Sequence, residues 1–137
     1  MRMVIYHNEA CSTSRRVLAL LRAAGAEVEV VDYLAEGWTR GQVLGLFAAA
    51  GVTVREELRV SDSVTEVLGL TDPTLPDEAL LAAMVAHPIL VQRPIVCSAR
   101  GVRLCRPLER VLELLPPGML VAADGQILVD AAGRYVG

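Results

Sequence analysis

The chain contains no lysine, and all 13 of its basic residues are arginines. Sixteen acidic residues outnumber them, which gives a formal net charge of −3. Nucleic-acid-binding proteins normally carry a basic surplus, so we expect no nucleic-acid partner. The absence of lysine indicates the codon bias of a GC-rich genome. For that reason no single arginine can be interpreted as selected over lysine for its geometry.

Long apolar runs are also missing, although 53% of the residues are hydrophobic and the mean hydropathy is +0.44. The longest nearly apolar stretch, residues 43–54, is shorter than the roughly 20 residues that a spanning helix needs. Near the N-terminus only four apolar residues precede His7, too few for the core of a secretory signal peptide. We therefore expect a cytoplasmic protein with no membrane span. A length of 137 residues predicts one domain, residues 1–137.

The chain has three cysteines, an odd number that argues against a disulfide framework in the absence of a signal peptide. The histidines and cysteines lack the spacing of zinc ligands, so we expect no metal site. The glycine motifs of phosphate-binding and dinucleotide-binding loops are absent as well. Single reactive or buried thiols remain as the chemistry to consider.

The first thirty residues have the pattern of a parallel βαβ unit. An apolar run at Met3–Tyr6 predicts a strand, residues 14–24 have helical spacing, and Val28–Val31 predicts a second strand. One of the three hydroxyl residues at positions 12–14 is expected to cap the helix, and Gly25 to end it.

The middle of the chain predicts helices. A capping box that begins at Thr39 opens a helix that ends at Gly51, and Ser63 has capping-box spacing to Glu66 at the start of a short helix. A further helix is predicted over 77–86, ended by a following proline. These form a helical insertion over about residues 39–87.

Three short β-like runs follow, at Ile89–Val91, Ile95–Cys97 and Val102–Leu104, and the last two predict a hairpin. Pro107 is expected at the first position of a final helix that continues to residue 115. The tail has a turn signal at residues 124–125 between two apolar runs and predicts a marginal hairpin. The order βαβ, insertion, ββα is that of an α/β thioredoxin-like fold.

Cys11 lies between the first strand and the first helix, where unpaired N–H groups stabilise a thiolate. His7 lies four residues earlier and adds positive charge if it is an imidazolium. The alternative is an inert buried cysteine. Position 14, where a Cys-x-x-Cys pair has its second thiol, is Ser14, so Cys11 is a monothiol in this loop.

Several arginines are candidates for binding an anion. Arg15 and Arg16 oppose the dipole at the helix start unless an oxyanion or a carboxylate such as Glu9 neutralises them. Arg93 and Arg106 each precede a proline, which places them at element edges. In a thioredoxin-like fold the Arg93–Pro94 bond is expected to be cis, with Arg93 beside Cys11. The alternative for Arg93 and for Arg106 is a solvated surface residue.

His87 precedes a proline and is expected to be a helix-end residue and not a catalyst.

Three segments, residues 7–15, 87–96 and 103–107, resemble the glutaredoxin-coupled arsenate reductases. They occur in the order and at the spacing of that family, and residues 57–59 lie where it carries another arginine. The resemblance covers essentially the whole chain, including the tail at residues 124–133. The segment His87–Val96 is the most specific of the three.

The resemblance implies a set of functional residues. The nucleophile would be Cys11, the activating histidine His7 and the loop serine Ser14. The oxyanion-binding arginines would be Arg59, Arg93 and Arg106. It further implies arsenate as substrate, reduced to arsenite through a Cys11 thiol–arsenate adduct. Glutathione would be the co-substrate and glutaredoxin the partner, with no tightly bound cofactor.

The chain departs from the family pattern at three positions. Glu9 replaces a usual proline, Ser12 replaces a glycine or small residue, and Val60 replaces a frequent basic residue. The Glu9 charge is expected either to weaken anion binding or to pair with Arg15.

Two other functions are compatible with the pattern. Spx-type transcription regulators resemble this family in fold and bind RNA polymerase, but they usually have a Cys-x-x-Cys pair, which Ser14 argues against. A related glutathione-dependent reductase of unknown substrate is expected to lack one or more of the three arginines.

Overall fold

The computed structural model describes residues 1–137 and contains six strands, six α-helices and two 3-10 helices. The strands are β1 (Arg2–His7), β2 (Glu27–Asp32), β3 (Ile95–Ser98), β4 (Gly101–Leu104), β5 (Leu120–Val121) and β6 (Ile127–Val129). The helices are α1 (Ser12–Ala23), α2 (Tyr33–Glu36), α3 (Arg40–Ala50), α4 (Val54–Glu57), α5 (Ser63–Val67) and α6 (Asp77–Ala86). The 3-10 helices are Pro88–Leu90 and Leu108–Leu114.

The chain forms two compact units. The first contains Met1–Asp32 and Arg93–Gly137, and the second contains Tyr33–Gln92. The helical insertion predicted at about residues 39–87 lies inside the second unit. The unit begins earlier than predicted because helix α2 follows β2 directly.

The first unit contains a four-stranded mixed sheet in the order β2-β1-β3-β4. Strand β1 is parallel to β2 and antiparallel to β3, and β3 is antiparallel to β4. Helix α1 is the crossover between the parallel strands, as the βαβ pattern predicts. The sheet therefore has the predicted thioredoxin-like arrangement, and the predicted hairpins β3–β4 and β5–β6 are both present.

Burial explains why these segments form the core of the first unit. Alternate residues of β1 are buried, which is the period of a strand. Helix α1 contributes one buried apolar face, and the second 3-10 helix adds further apolar side chains. The most deeply buried members of this core are Ile5, Val17, Leu20, Leu21, Val96, Cys105, Val111 and Leu114.

The sheet register brings two distant segments of the chain together. Tyr6 near the end of β1 is opposite Ile95 at the start of β3. The loop that follows His7 and the Arg93–Pro94 pair that precedes β3 consequently meet at one edge of the sheet. The Arg93–Pro94 peptide bond is cis, as predicted, and the Arg106–Pro107 bond is also cis, which we did not predict.

The second unit is helical. The rings of Tyr33 and Trp38 stack with their centroids 5.1 Å apart, and helix α6 buries Leu80, Leu81 and Met84. No helix of the protein combines the length and the apolar character that crossing a bilayer requires.

Four predictions about local structure were wrong. Ile89–Val91 is not a strand, because Pro88 begins a 3-10 turn. The Pro88 carbonyl accepts the Val91 N–H at 3.2 Å. The cap of α5 is Asp62 and not Ser63, since the Asp62 carboxylate accepts the Val64 N–H at 2.9 Å.

The final helix is a 3-10 helix, in which Pro107 is the N-cap and not the first helical residue. Helix α1 also begins earlier than predicted, at Ser12, so that none of the hydroxyl residues is its N-cap.

Candidate active site

Cys11 itself occupies the N-cap position of α1, with extended backbone angles of φ −92° and ψ 121°. Its carbonyl accepts the Arg15 N–H at 3.1 Å, the first bond of the helix. Its own N–H donates to the Asn8 carbonyl at 2.9 Å, and the Asn8 side chain accepts the Ala10 N–H at 3.0 Å. This tight turn, typical of asparagine, places a half-buried thiol at the start of the helix.

The environment of Cys11 favours its thiolate. Burial is the largest influence and acts to raise the pKa of Cys11, but several interactions together outweigh it. They are the Ser14 N–H, the hydrogen bond and charge of the Arg93 guanidinium, and the Thr13 N–H. The result is a pKa of Cys11 below its usual value. The Cys11 side chain forms no capping hydrogen bond. The N–H groups of Ser14 and Thr13 nevertheless stabilise the negative charge of the thiolate.

Ser14 and His7 form a buried hydrogen-bonded pair directly behind this turn. Ser14 is fully buried, and its Oγ lies 2.9 Å from Nδ1 of His7. The same Oγ accepts the Asn8 N–H at 3.1 Å. We expected His7 to act beside Cys11, but its ring is engaged by Ser14 and by Glu9. The hydrogen-bonded path from His7 to the start of α1 therefore runs through Ser14.

Arg93 lies beside Cys11, as predicted, and is 7% exposed. Two of its guanidinium nitrogens, Nε and Nη1, are buried and have no hydrogen-bond partner. An unpaired buried donor costs about 1–3 kcal/mol, and a charged one costs more. A guanidinium in this state next to a reactive thiol is a site that an oxyanion would complete.

The Arg106 side chain contacts the Arg93 backbone. Its Nη1 donates to the Arg93 carbonyl oxygen at 3.1 Å. Arg59 belongs to the second unit, where its N–H donates to the Leu90 carbonyl at 2.7 Å and its carbonyl accepts the Thr65 hydroxyl at 2.7 Å. The convergence of Arg59 with the other two arginines stays a prediction.

Arg15 turns back onto the loop. Its Nη1 donates to the Glu9 carbonyl oxygen at 2.6 Å, and no acidic residue lies in the first turn of α1. The Glu9 carboxylate is hydrogen-bonded to His7, which lowers the pKa of Glu9, and the charges of Arg15 and Arg22 lower it further. The nearby carboxylate thus offsets the unfavourable position of Arg15 at the positive end of the helix.

The sequence profile of the ArsC family matches residues 6–114, which include all of the site residues described above. This chain belongs to the ArsC family. It is 51% identical over 137 residues to arsenate reductase ArsI2 of Synechocystis, with 98% of each chain covered. It is 43% identical over 135 residues to the arsenate reductase of Escherichia coli K12, with 96% of each covered.

The structural comparison agrees with this assignment. The arsenate reductase from Vibrio cholerae superposes with a TM-score of 0.80 at 41% sequence identity. The match covers 84% of this chain and 98% of that one. The thioredoxin-like fold of this chain is therefore the fold of its ArsC-family relatives, and Cys11 lies at the start of its first helix.

The other two cysteines of this ArsC-family chain lie apart from each other. Burial raises the pKa of Cys97, and it raises the pKa of Cys105 to about 12. Cys97 is opposite Val102 in the hairpin, so Cys105 lies three residues, about 10 Å, further along. Disulfide-bonded Cα atoms lie within about 7 Å, so the two thiols do not pair in this hairpin.

Sequence reasoning missed two residues of the loop. Asn8 is buried and bonds to Ala10, Cys11 and Ser14, and the Asn-x-Ala turn pattern was a signal for it. Glu9 was considered only as a charge, whereas its carboxylate is the partner of His7. The His-x-Glu spacing carries no general signal of that contact, since it depends on how the loop turns after β1.

Proposed function

We propose that this protein reduces arsenate to arsenite, with Cys11 as the nucleophile, glutathione as the reductant and glutaredoxin as the protein that recycles the thiol. The observation that carries the proposal is the buried Arg93 guanidinium, with Nε and Nη1 unpaired, next to a thiol of lowered pKa. The names of the relatives supply the identity of the oxyanion, because they are arsenate reductases at 43–51% identity over nearly the whole chain.

The first step of the proposed reaction needs the thiolate and an anion site. The Cys11 thiolate attacks arsenic(V), a sulfur–arsenic bond forms, and a protonated oxygen leaves as water. Charge on the remaining oxygens is stabilised by N–H donors that are already in place, which is the electrostatic role that fixed donors have in catalysis. Arg93 supports this step with two donors that have no other acceptor.

The second step transfers two electrons. A glutathione thiolate attacks the Cys11 sulfur, the sulfur–arsenic bond breaks, and its electron pair stays on arsenic as arsenite leaves. Cys11 is then joined to glutathione in a mixed disulfide. Because Ser14 occupies the position of a second loop thiol, no cysteine of the loop can resolve this disulfide. A glutaredoxin thiolate takes the glutathionyl group and releases the Cys11 thiolate.

Arg106 and Arg59 are proposed as further ligands of the arsenate oxygens. The guanidinium of Arg106 has five N–H donors, and the Arg93 carbonyl uses one of them. For Arg59 the support is the resemblance to the family, which carries an arginine at this position. Since glutathione and glutaredoxin work in a reducing compartment, the proposal places the protein in the cytoplasm.

The test is arsenate-dependent NADPH oxidation with glutathione, glutaredoxin and glutathione reductase supplied. We expect turnover with the wild type and none with Cys11→Ser, because that variant lacks the attacking sulfur. Cys97→Ser and Cys105→Ala are the matched controls and should keep most of the activity. A wild-type protein that binds a partner but gives no arsenate-dependent oxidation would favour the Spx-type interaction function instead.

A further inference from the structure

Glu9 is a charged side chain that hydrogen-bonds to the His7–Ser14 pair behind Cys11. Its carboxylate Oε2 lies 2.5 Å from Nε2 of His7, although the Glu9 side chain as a whole is 78% exposed. His7 is buried and Ser14 is fully buried, so their polar atoms depend on protein partners. The three residues form one chain of contacts from solvent to the first turn of α1.

The charge of Glu9 decides which nitrogen of His7 carries the proton in the neutral ring. An ionised carboxylate only accepts hydrogen bonds, so Nε2 must be the protonated nitrogen. The groups that face Glu9 are His7, Arg15 and Arg22, and the His7 hydrogen bond together with the two guanidinium charges keeps the carboxylate ionised. The opposite tautomer would direct the Nε2 lone pair at the carboxylate, and that contact is repulsive.

With the proton on Nε2, every polar atom of the pair is satisfied. Nδ1 of His7 accepts the Ser14 hydroxyl hydrogen at 2.9 Å, and Ser14 Oγ accepts the Asn8 N–H at 3.1 Å. With the proton on Nδ1, Ser14 Oγ would accept two hydrogens and its own hydrogen would need another acceptor. Glu9 thus selects the tautomer that holds the Ser14 hydroxyl in its observed place.

The orientation of Ser14 matters for the thiol. Ser14 is the third residue of α1, and its N–H is the strongest of the influences that favour the Cys11 thiolate. Its side chain ties that N–H to the loop through His7 and Asn8. A change that loosens the hydroxyl loosens the turn that faces the sulfur.

We propose that Glu9 is a positioning residue for Cys11, acting through the tautomer of His7 and the orientation of Ser14. The inference rests on the proposed role of Cys11 as the nucleophile. It assigns a structural purpose to a carboxylate that lies in the catalytic loop and does not touch the reacting sulfur.

The test uses Glu9→Gln, which removes the charge and keeps the shape, and Glu9→Ala, which removes the partner. Glu29→Gln is the matched control, because Glu29 is an exposed carboxylate on edge strand β2 and its replacement changes the net charge equally. All are made in the Cys97→Ser, Cys105→Ala background. The first measurement is the nitrogen-15 shift pattern of the neutral His7 ring, which distinguishes a proton on Nε2 from one on Nδ1.

We expect the Nε2–H form alone in the wild type and in Glu29→Gln, and a mixture of tautomers in Glu9→Gln and Glu9→Ala. The second measurement is the rate of Cys11 alkylation by iodoacetamide at pH 7. It should fall about two- to tenfold in both Glu9 variants, as expected for the loss of one hydrogen bond. A purely structural role of Glu9 would change thermal stability without changing the tautomer.

Three results would overturn the inference: an Nδ1–H or doubly protonated His7 ring in the wild type, the wild-type tautomer in the Glu9 variants, or the wild-type alkylation rate in those variants. None of these results touches the proposed function, which fails separately if Cys11→Ser keeps arsenate-dependent turnover. The two failures are therefore distinguishable in the same set of proteins.

Discussion

For the substitution of Arg93 by methionine, the structure predicts separate effects on catalysis, on the pKa of Cys11 and on stability. Methionine keeps an unbranched apolar stem of similar length and removes the charge and all N–H donors. In the wild type Nε and Nη1 are buried and unpaired, so they are available to the arsenate oxygens. A hydrogen bond to a charged group contributes about 1.5–3 kcal/mol. Loss of one such bond predicts a decrease in kcat/KM of roughly ten- to 150-fold, and loss of both predicts a decrease of about 150-fold or more.

The same substitution should also raise the pKa of Cys11, because the Arg93 charge and hydrogen bond both favour the thiolate. Thermal stability should change little, since the loss of buried unpaired N–H groups offsets the poorer packing of the stem. The assays are the coupled NADPH assay, the pH dependence of Cys11 alkylation, and thermal unfolding. Arg110→Met, an exposed arginine of the second 3-10 helix, is the control for a change of charge.

The reasoning would be refuted if Arg93→Met kept kcat/KM within twofold of the wild type. It would also be refuted if the loss were explained by unfolding, with a melting temperature far below that of Arg110→Met.

Three further predictions use the same assays. Arg106→Ala and Arg59→Ala should each lower kcat/KM by about ten- to 100-fold with the fold intact; wild-type kinetics for Arg59→Ala would exclude it from the anion site. The alkylation rate of Cys11 should stay high as the pH falls below about 8.5, the pKa of an ordinary thiol, and should decrease only when the pH reaches the lowered pKa of Cys11, because the thiolate alone reacts. A decrease centred on the ordinary thiol pKa would contradict the account. Leu80→Ala should lower the free energy of unfolding by about 2–5 kcal/mol in a denaturant titration, since Leu80 is fully buried in α6; a change below about 0.5 kcal/mol would show that α6 does not stabilise its unit.

Elements with strong periodicity and clear end signals were predictable from the sequence. Helix α6 begins and ends at the predicted residues, and the Thr39 capping box and the Gly51 end of α3 are both observed. The βαβ unit and the two hairpins were predicted because their patterns are local. Helix α4 was missed although Thr53 and Glu56 form a capping box, because it consists of a single turn.

The errors arise where one sequence pattern is compatible with two local structures. An apolar run after a proline, as at Ile89–Val91, suits a strand as well as a 3-10 turn, and the Pro88 carbonyl decided for the turn. The thiol position at the helix start was predicted, but not that Cys11 would itself be the N-cap. That detail depends on the Asn8 turn, which packs against the buried Ser14.

The candidate site was predictable for Cys11 and Arg93 and less so for the histidine. The fold type alone places a residue before a strand-opening proline beside the first loop, and the contact of Arg93 with Cys11 follows from that. The direction of the His7 ring does not follow from sequence spacing. It depends on two hydrogen bonds, to Ser14 and to Glu9, that form only when the loop closes.

The central claim is that arsenate oxidises Cys11 and that glutathione then takes its place on the sulfur. The most direct measurement is the intact mass and peptide map of the reduced protein after anaerobic incubation with arsenate and reduced glutathione, without glutaredoxin. We predict a glutathione adduct on Cys11 that requires arsenate, forms in Cys97→Ser and Cys105→Ala, and disappears when glutaredoxin is added. An adduct confined to Cys97 or Cys105, or one that forms equally without arsenate, would contradict the account.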